Sequence, residues 1–270
     1  MNLVTVADGN FLVSALNLMC SYRRHSPSFD RIVFCHFNIP PTTIQKIATY
    51  FGDRFVAQAV EPVCPHALDP RLYFFKTYAL HAAKRFNEPF LYLDAGELIV
   101  DSLLDFERVL KARQRVYVQY PHHPFFRNDG WTTNRCFQKL GCDDERFRGA
   151  FQYMGGLQAY LPTAENWAFI DEVYALTQDI EIAGPSCKHD RPDGPNGACR
   201  QHRNDQSVLS VLIERNGWQQ PYDEGFFAGY GDIRTVIEQG IKQSQRPIVL
   251  CRQFQRRDFI PQELTRAVGI

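Results

Sequence analysis

Phe90-Leu91-Tyr92-Leu93-Asp94-Ala95-Gly96-Glu97-Leu98-Ile99-Val100 is an apolar run interrupted by two carboxylates and a glycine. Its first four residues favour extended, buried backbone, and Gly96 supplies a position where the chain can turn or admit a ligand. The pattern predicts a buried strand ending in a polar site, where open α/β sheets bind ligands. Taken alone, Asp94 also reads as a simple cap on the element that follows.

On the N-terminal side the elements alternate. Leu3–Val6 reads as a strand closed by Ala7-Asp8-Gly9-Asn10, after which Phe11, Ala15, Leu16, Met19 and Tyr22 recur at helical spacing. Asp30–Phe37 is a second strand, Pro40-Pro41 opens a helix carrying Ile44, Ile47, Ala48 and Phe51, and Arg54–Val60 is a third strand. Pro62–Pro70 is a loop, and Arg71–Phe86 a helix with Leu72, Phe75, Ala79 and Ala82/Ala83 as its core stripe. Such alternation predicts an α/β fold with a mainly parallel central sheet flanked by helices.

On the C-terminal side the order is looser. Leu103–Leu110 is a short helix, Arg115–Tyr120 a strand, and Pro121–Gly149 a long polar and aromatic segment without clear periodicity. Phe151–Tyr160 is a strand with Gly155-Gly156 in its middle, a weakness unless another group must approach its backbone. Thr163–Thr177 is a helix with a threonine cap, 178–203 a second long loop, and Asn204–Arg215 a helix opening on Asn204-Asp205-Gln206.

Composition narrows the class. The 270 residues are 44% hydrophobic, enough for a substantial core, and 30 basic side chains balance 30 acidic ones. No overall field draws the chain to nucleic acid or membrane, so an anionic ligand has to be met by local charge. The N-terminus lacks a basic start before a long apolar core, so neither signal peptide nor membrane span is expected. The 8 cysteines are scattered, several in apolar stretches, which fits a reducing cytoplasm and leaves a lumen open. Cys187, His189, Cys199 and His202 share one loop and offer a zinc set, a Cys187–Cys199 disulfide, or neither.

Four stretches match one family in order and rough spacing: Val6-Ala7-Asp8-Gly9-Asn10-Phe11, Leu91-Tyr92-Leu93-Asp94-Ala95, Gly155-Gly156, and Asn204-Asp205-Gln206-Ser207-Val208-Leu209. Over roughly residues 3 to 215 the chain resembles the GT-A glycosyltransferases, in particular the retaining family of glycogenin and the bacterial lipopolysaccharide galactosyltransferases and glucosyltransferases. The resemblance implies a single Rossmann-like domain over 1–270, with 1–105 as the nucleotide-binding half and 106–270 as the acceptor- and sugar-binding half. It implies an enzyme that transfers a hexose from a nucleotide sugar, a UDP-sugar, to a hydroxyl of a glycan or glycoconjugate, with retention.

By the same resemblance Ala7, Asp8 and Asn10 hold uracil and ribose, and Lys76 meets the diphosphate or donor sugar. Gly155 and Gly156 form the turn beside that sugar, without the family's asparagine. Asp205 reaches sugar hydroxyls and Gln206 lies near the anomeric carbon. Each has a structural alternative: Asp8 or Asn10 as a cap, Lys76 as a side chain reaching water, Asn204 and Asp205 as the start of a helix. The family's Asp-x-Asp holds a divalent ion, Mn²⁺ or Mg²⁺; here Gly96 stands at the second acidic position and Glu97 is displaced by one. Asp94 with Glu97 remains a possible ligand pair, since such ions need only one or two carboxylates beside the substrate phosphates. Otherwise Lys76, Lys242 and Arg252 are left to neutralise the leaving group. The family's late His-x-x-Gly-x-x-Lys-Pro segment has only a faint echo in Gly240-Ile241-Lys242 and Arg246-Pro247.

His122, His123, Phe125, Phe126 and Trp131 form an aromatic platform suited to an acceptor. Two other classes compete. A nucleotidyltransferase requires a glycine-rich phosphate loop that Ala7-Asp8-Gly9-Asn10 does not supply. A noncatalytic nucleotide-sugar or glycan-binding module fits the altered Asp-x-Asp.

Overall fold

The computed structural model describes residues 1–26, 30–184, 199–220 and 260–270, with the backbone of 227–228 and 248–250. A six-stranded sheet is laid out in the order β3-β2-β1-β4-β7-β6. Its strands are β1 (Asn2–Ala7), β2 (Ile32–His36), β3 (Phe55–Ala59), β4 (Phe90–Leu93), β6 (Arg115–Gln119) and β7 (Tyr153–Tyr160). β1 pairs in parallel with β2 and β4, and β2 with β3. β7 runs antiparallel to both β4 and β6, so one reversed strand lies in an otherwise parallel sheet.

Both faces of the sheet are covered, which explains its near-continuous apolar strands. Along β4 the side chains alternate: Leu91 and Leu93 enter one core with Leu3, Leu16 and Phe106, whereas Phe90 and Tyr92 enter the other with Val4, Phe74 and Leu209. The first core is closed by α1 (Leu12–His25), α2 (Pro41–Phe51), α4 (Leu104–Arg113) and a C-terminal helix, Gln262–Val268. The second is closed by α3 (Phe74–Ala83), α7 (Ala164–Leu176) and α9 (Asp205–Arg215).

The strand into Asp94 ends there, as expected; after the turn at 94–96, β5 (Glu97–Ile99), not foreseen from sequence, leaves the main sheet and pairs antiparallel with β9 (Ile248–Leu250), which pairs in parallel with β8 (Phe227–Ala228). Three expectations are corrected. The helix placed at Arg71–Phe86 begins only at Phe74, because Tyr73 sits at φ 58°, which no helix continues through. The segment 121–149 contains α5 (Asn134–Lys139) and α6 (Glu145–Gly149), too short to show a period and started by Thr133 and Asp144 as caps. Within 178–203, α8 (Ile180–Ala183) is likewise a short capped helix, started by Asp179.

Candidate active site

β4 delivers Asp94 to the C-terminal edge of the sheet, where its backbone N–H donates to Gly156 O at 2.9 Å. Each carboxylate oxygen has a protein donor: the Tyr92 hydroxyl at 2.9 Å and Lys76 Nζ at 2.7 Å. Tyr92 and Asp94 are two residues apart along extended chain, so they share a face, a signal available in the sequence but missed. Burial and the Asp94 and Asp205 charges push the Tyr92 phenol far up, so it stays a donor.

Burial works against the Lys76 ammonium, but Asp94 and then Asp205 outweigh it and hold its pKa above the ordinary value. Its ammonium also lies 4.9 Å from the centre of the Tyr73 ring. Lys76 is therefore a fixed cation at the strand ends, not a side chain reaching for water. For Asp205 burial dominates, partly offset by Lys76 and reinforced by Asp94, and its carboxyl is pushed up to about 6. The two helices that carry Lys76 and Asp205 are each preceded by a non-glycine residue at positive φ, Tyr73 at 58° and Asn204 at 48°. Backbone of this kind costs on the order of 1–3 kcal/mol and persists where surrounding contacts enforce it. Asn204 does not cap with its side chain, as expected from sequence; its amide instead donates to Ala183 O.

Gly155 and Gly156 bring these groups together. A Cβ on Gly155 would stand 2.9 Å from Asp205 Oδ2 and 3.2 Å from Gln206 Cβ. One on Gly156 would stand 2.8 Å from Asp94 Oδ2 and 2.9 Å from Glu97 Oε1. The double glycine thus admits three carboxylates and the start of α9 against the backbone of β7. Asp94 and Glu97 converge on the same side of Gly156, which gives a hard-oxygen pair despite Gly96. Two carboxylates suit Mn²⁺ or Mg²⁺ when substrate phosphates complete the shell. Among the described residues no cluster of three or more acidic, histidine or cysteine side chains forms a complete protein cage.

At the end of β1, Ala7 is buried and Asp8 nearly so. Asp8 Oδ1 accepts from the N–H groups of Asn10 and Phe11 at 3.0 and 3.1 Å, and Oδ2 accepts from Asn10 Nδ2 at 3.0 Å. Asp8 is a cap that shapes this turn, while Asn10 and Phe11 are exposed on it, Phe11 by 54%.

The aromatic segment forms a compact group. Tyr120 stacks on Phe126, Phe125 meets Trp131 edge-on, and Trp131 Nε1 donates to Phe125 O at 2.6 Å. Arg203 lies 3.8 Å from the Trp131 ring centre and Arg200 lies 4.6 Å from that of Phe125; neither has an acidic partner among the described residues. His122 stacks on Phe151 beside this group.

Of the proposed zinc set, Cys187 and His189 lie outside the described residues, as do Lys242, Arg252, Gly240-Ile241 and Arg246-Pro247. His202 is buried with both ring nitrogens engaged: Nε2 donates to Ile182 O at 2.8 Å and Nδ1 accepts from the Thr133 N–H at 3.3 Å. Burial lowers its pKa to about 4, and the neutral ring stitches α8 to the start of α5, which removes it from any metal set. Cys199 is fully buried.

Comparison with solved structures accounts for this architecture. The galactosyltransferase LgtC, solved with donor and acceptor sugar analogs, superposes with a TM-score of 0.55 at 14% identity, over all of this chain and 95% of that one. The bifunctional glycosyltransferase WbbM gives a TM-score of 0.57 at 9% identity, over all of this chain and 49% of that one. Mouse xyloside xylosyltransferase 1 gives 0.53 at 9% identity, over 93% and 97%. The chain has the GT-A glycosyltransferase fold, as the sequence resemblance implied. No protein-family model matches the chain, and no curated protein matches it in sequence.

Proposed function

We propose that the protein is a glycosyltransferase that moves a sugar, a hexose, from a UDP-sugar to a hydroxyl of a glycan or glycoconjugate with retention of configuration. The observation that carries this reading is the convergence of Asp94, Glu97, Lys76, Asp205 and Gln206 on Gly155-Gly156 at the strand ends of a GT-A fold. Nothing in that group forms a nucleophile and base pair, so its power lies in positioning and charge. Lys76 meets the diphosphate and stabilises it as it departs. Asp205, ionised above about pH 6, accepts from sugar hydroxyls, and Gln206 faces the anomeric carbon. The acceptor oxygen bonds that carbon, the bond from the carbon to the diphosphate oxygen breaks with its electron pair, and the acceptor proton leaves onto the diphosphate.

Asp94 and Glu97 would hold Mn²⁺ or Mg²⁺, which supplies further charge neutralisation on the phosphates when bound. The turn Ala7-Asp8-Gly9-Asn10 offers backbone and side-chain groups to base and ribose. The exposed ring of Phe125 and the half-buried ring of Phe126, backed by the buried Trp131 and its Arg203, form the acceptor platform, since sugar faces pack on aromatic rings and hydroxyls accept from guanidinium.

A second reading, a noncatalytic nucleotide-sugar or glycan-binding module, is favoured by one observation: Gly96 in place of a metal-binding aspartate. A panel of nucleotide sugars, with released nucleotide and calorimetry as readouts, separates the two. Turnover of one donor supports the transferase; binding without turnover, with candidate acceptors present, assigns the module.

A further inference from the structure

Gln206 is tied to a buried line of amides that the proposed chemistry does not itself use. Its Nε2 donates to Gln152 Oε1 at 2.9 Å, Gln152 Nε2 donates to Asn128 Oδ1 at 2.7 Å, and Asn128 Nδ2 donates to Phe147 O at 2.9 Å. Gln152 and Asn128 are completely buried, whereas Gln206 is half-buried at the site. Their backbones are pinned as well: Gln152 N–H donates to Phe126 O and Gln152 O accepts from Tyr120 N–H, each at 2.9 Å, and Asn128 N–H donates to Ala150 O at 2.7 Å.

The polarity of this line is determined at one end. A backbone carbonyl can only accept, so Asn128 must turn its NH₂ toward Phe147, which leaves its oxygen toward Gln152. That oxygen demands the Gln152 NH₂, and the Gln152 oxygen in turn demands the Gln206 NH₂. Reversing any one amide would place two donors or two acceptors face to face in a buried site, with the cost of unmade hydrogen bonds.

We propose that Gln152 and Asn128 are positioning residues that set the flip of the Gln206 amide, so that its carbonyl oxygen and not its NH₂ is the end presented to the reacting sugar. This rests on the transferase reading. An oxygen there faces the positive charge that develops at the anomeric carbon as the leaving diphosphate departs, whereas an NH₂ would oppose it. The sequence alone hid the device because Asn128 and Phe147 belong to a segment without periodicity, while Gln152 reads only as one residue of the strand Phe151–Tyr160.

The test is a double-mutant cycle on the full chain with an independent spectroscopic arm. Gln152→Met keeps the volume but neither accepts nor donates in this line. It should lower kcat by about tenfold to a hundredfold, the cost of a misplaced reacting group, with donor KM unchanged. In a Gln206→Ala background the same change should have no further effect. Gln152→Glu, which in this fully buried place keeps its proton, donates with its hydroxyl to Asn128 Oδ1 and accepts from Gln206 with its other oxygen, should recover most of the lost kcat, and it serves if the methionine variant does not fold.

The Gln206 side-chain amide pair, identified in a ¹⁵N spectrum by its loss in Gln206→Ala, should shift and exchange faster in Gln152→Met. Equal losses of kcat in both Gln206 backgrounds, or a Gln206 amide signal indifferent to residue 152, would overturn the proposal. Absence of turnover in the unmodified protein would count against the transferase reading alone, because the spectroscopic arm still reports on the line of amides.

Discussion

Lys76 Nζ stands 2.7 Å from Asp94 Oδ2 while the Tyr92 hydroxyl occupies the other oxygen of the same carboxylate. The strand-end carboxylate is therefore clamped by a cation and a phenol, and Lys76 is shared electrostatically with Asp205. On the proposed reading, a diphosphate bound here would meet a positive charge whose orientation has already been set, which is how preorganised sites lower barriers.

Lys76→Met should lower turnover about a hundredfold or more, as loss of a preorganised charge does. It should also move the acid limb of the pH profile. Lys76 is what holds Asp205 down against burial, so removing it raises the Asp205 pKa and shifts that limb upward from near pH 6. Rate measurements from pH 5 to 9 on both proteins check this; an unmoved limb separates Asp205 from the profile.

Asp205→Asn should depress kcat far more than UDP affinity, because the residue is assigned to the sugar end and not the nucleotide. Calorimetric titration with UDP beside steady-state rates reads the split. Equal loss in both would return Asp205 to a role in the start of α9.

Asp8→Ala should cost about 1 kcal/mol of stability through loss of the cap. It should also weaken UDP binding by about 1–3 kcal/mol if the turn shape is what presents Asn10 and the backbone to the nucleotide. Asp8→Ser, which caps, should recover the stability. Urea titration and UDP calorimetry on the same samples distinguish a cap from a ligand.

Divalent ion should bind weakly alone and more tightly with UDP, whose phosphate oxygens complete the shell. Asp94→Asn should abolish metal-dependent turnover, and Glu97→Gln should raise the Mn²⁺ concentration required without eliminating activity. Undiminished activity in excess chelator would leave leaving-group stabilisation to Lys76 alone among the described residues.

His202 gives a pH signature for folding. Its pKa falls from 6.5 unfolded to about 4 folded, so the unfolded chain takes up a proton first as pH falls. Its contribution is intact above 6.5 and is lost progressively down to about 4, on the order of 3 kcal/mol in all. Asp205 acts in the opposite sense: between 3.8 and about 6 the folded state holds the proton more firmly, so its contribution decreases as pH rises through that interval. Lowering the pH from 7.5 to 5.0 should therefore move the urea midpoint of His202→Gln upward relative to its movement in the unmodified protein, where the two contributions largely cancel.

The alternation of apolar strands and amphipathic helices up to Asp94 settled, from sequence alone, a sheet buried on both faces, because each element's periodicity reports which of its sides is covered. Motif order placed Asp94, Asp205 and Gln206 at element ends, and Thr163 was legible as a cap because its bond to the Asn166 N–H is three residues away. What lay beyond reach was set by pairing between distant segments. Glu97 leaves the main sheet because β5 pairs with β9, more than a hundred residues later in the chain. Lys76 and Asp94 meet because β1 and β4 are neighbours with α3 packed beside them, a matter of strand order and not of spacing. The reason for Gly155-Gly156 appears only once Asp94, Glu97 and Asp205 occupy the space a Cβ would fill, and the flip of the Gln206 amide only once a carbonyl at Phe147 dictates it. Local pattern reports burial; only the folded arrangement decides which buried polar groups must satisfy one another.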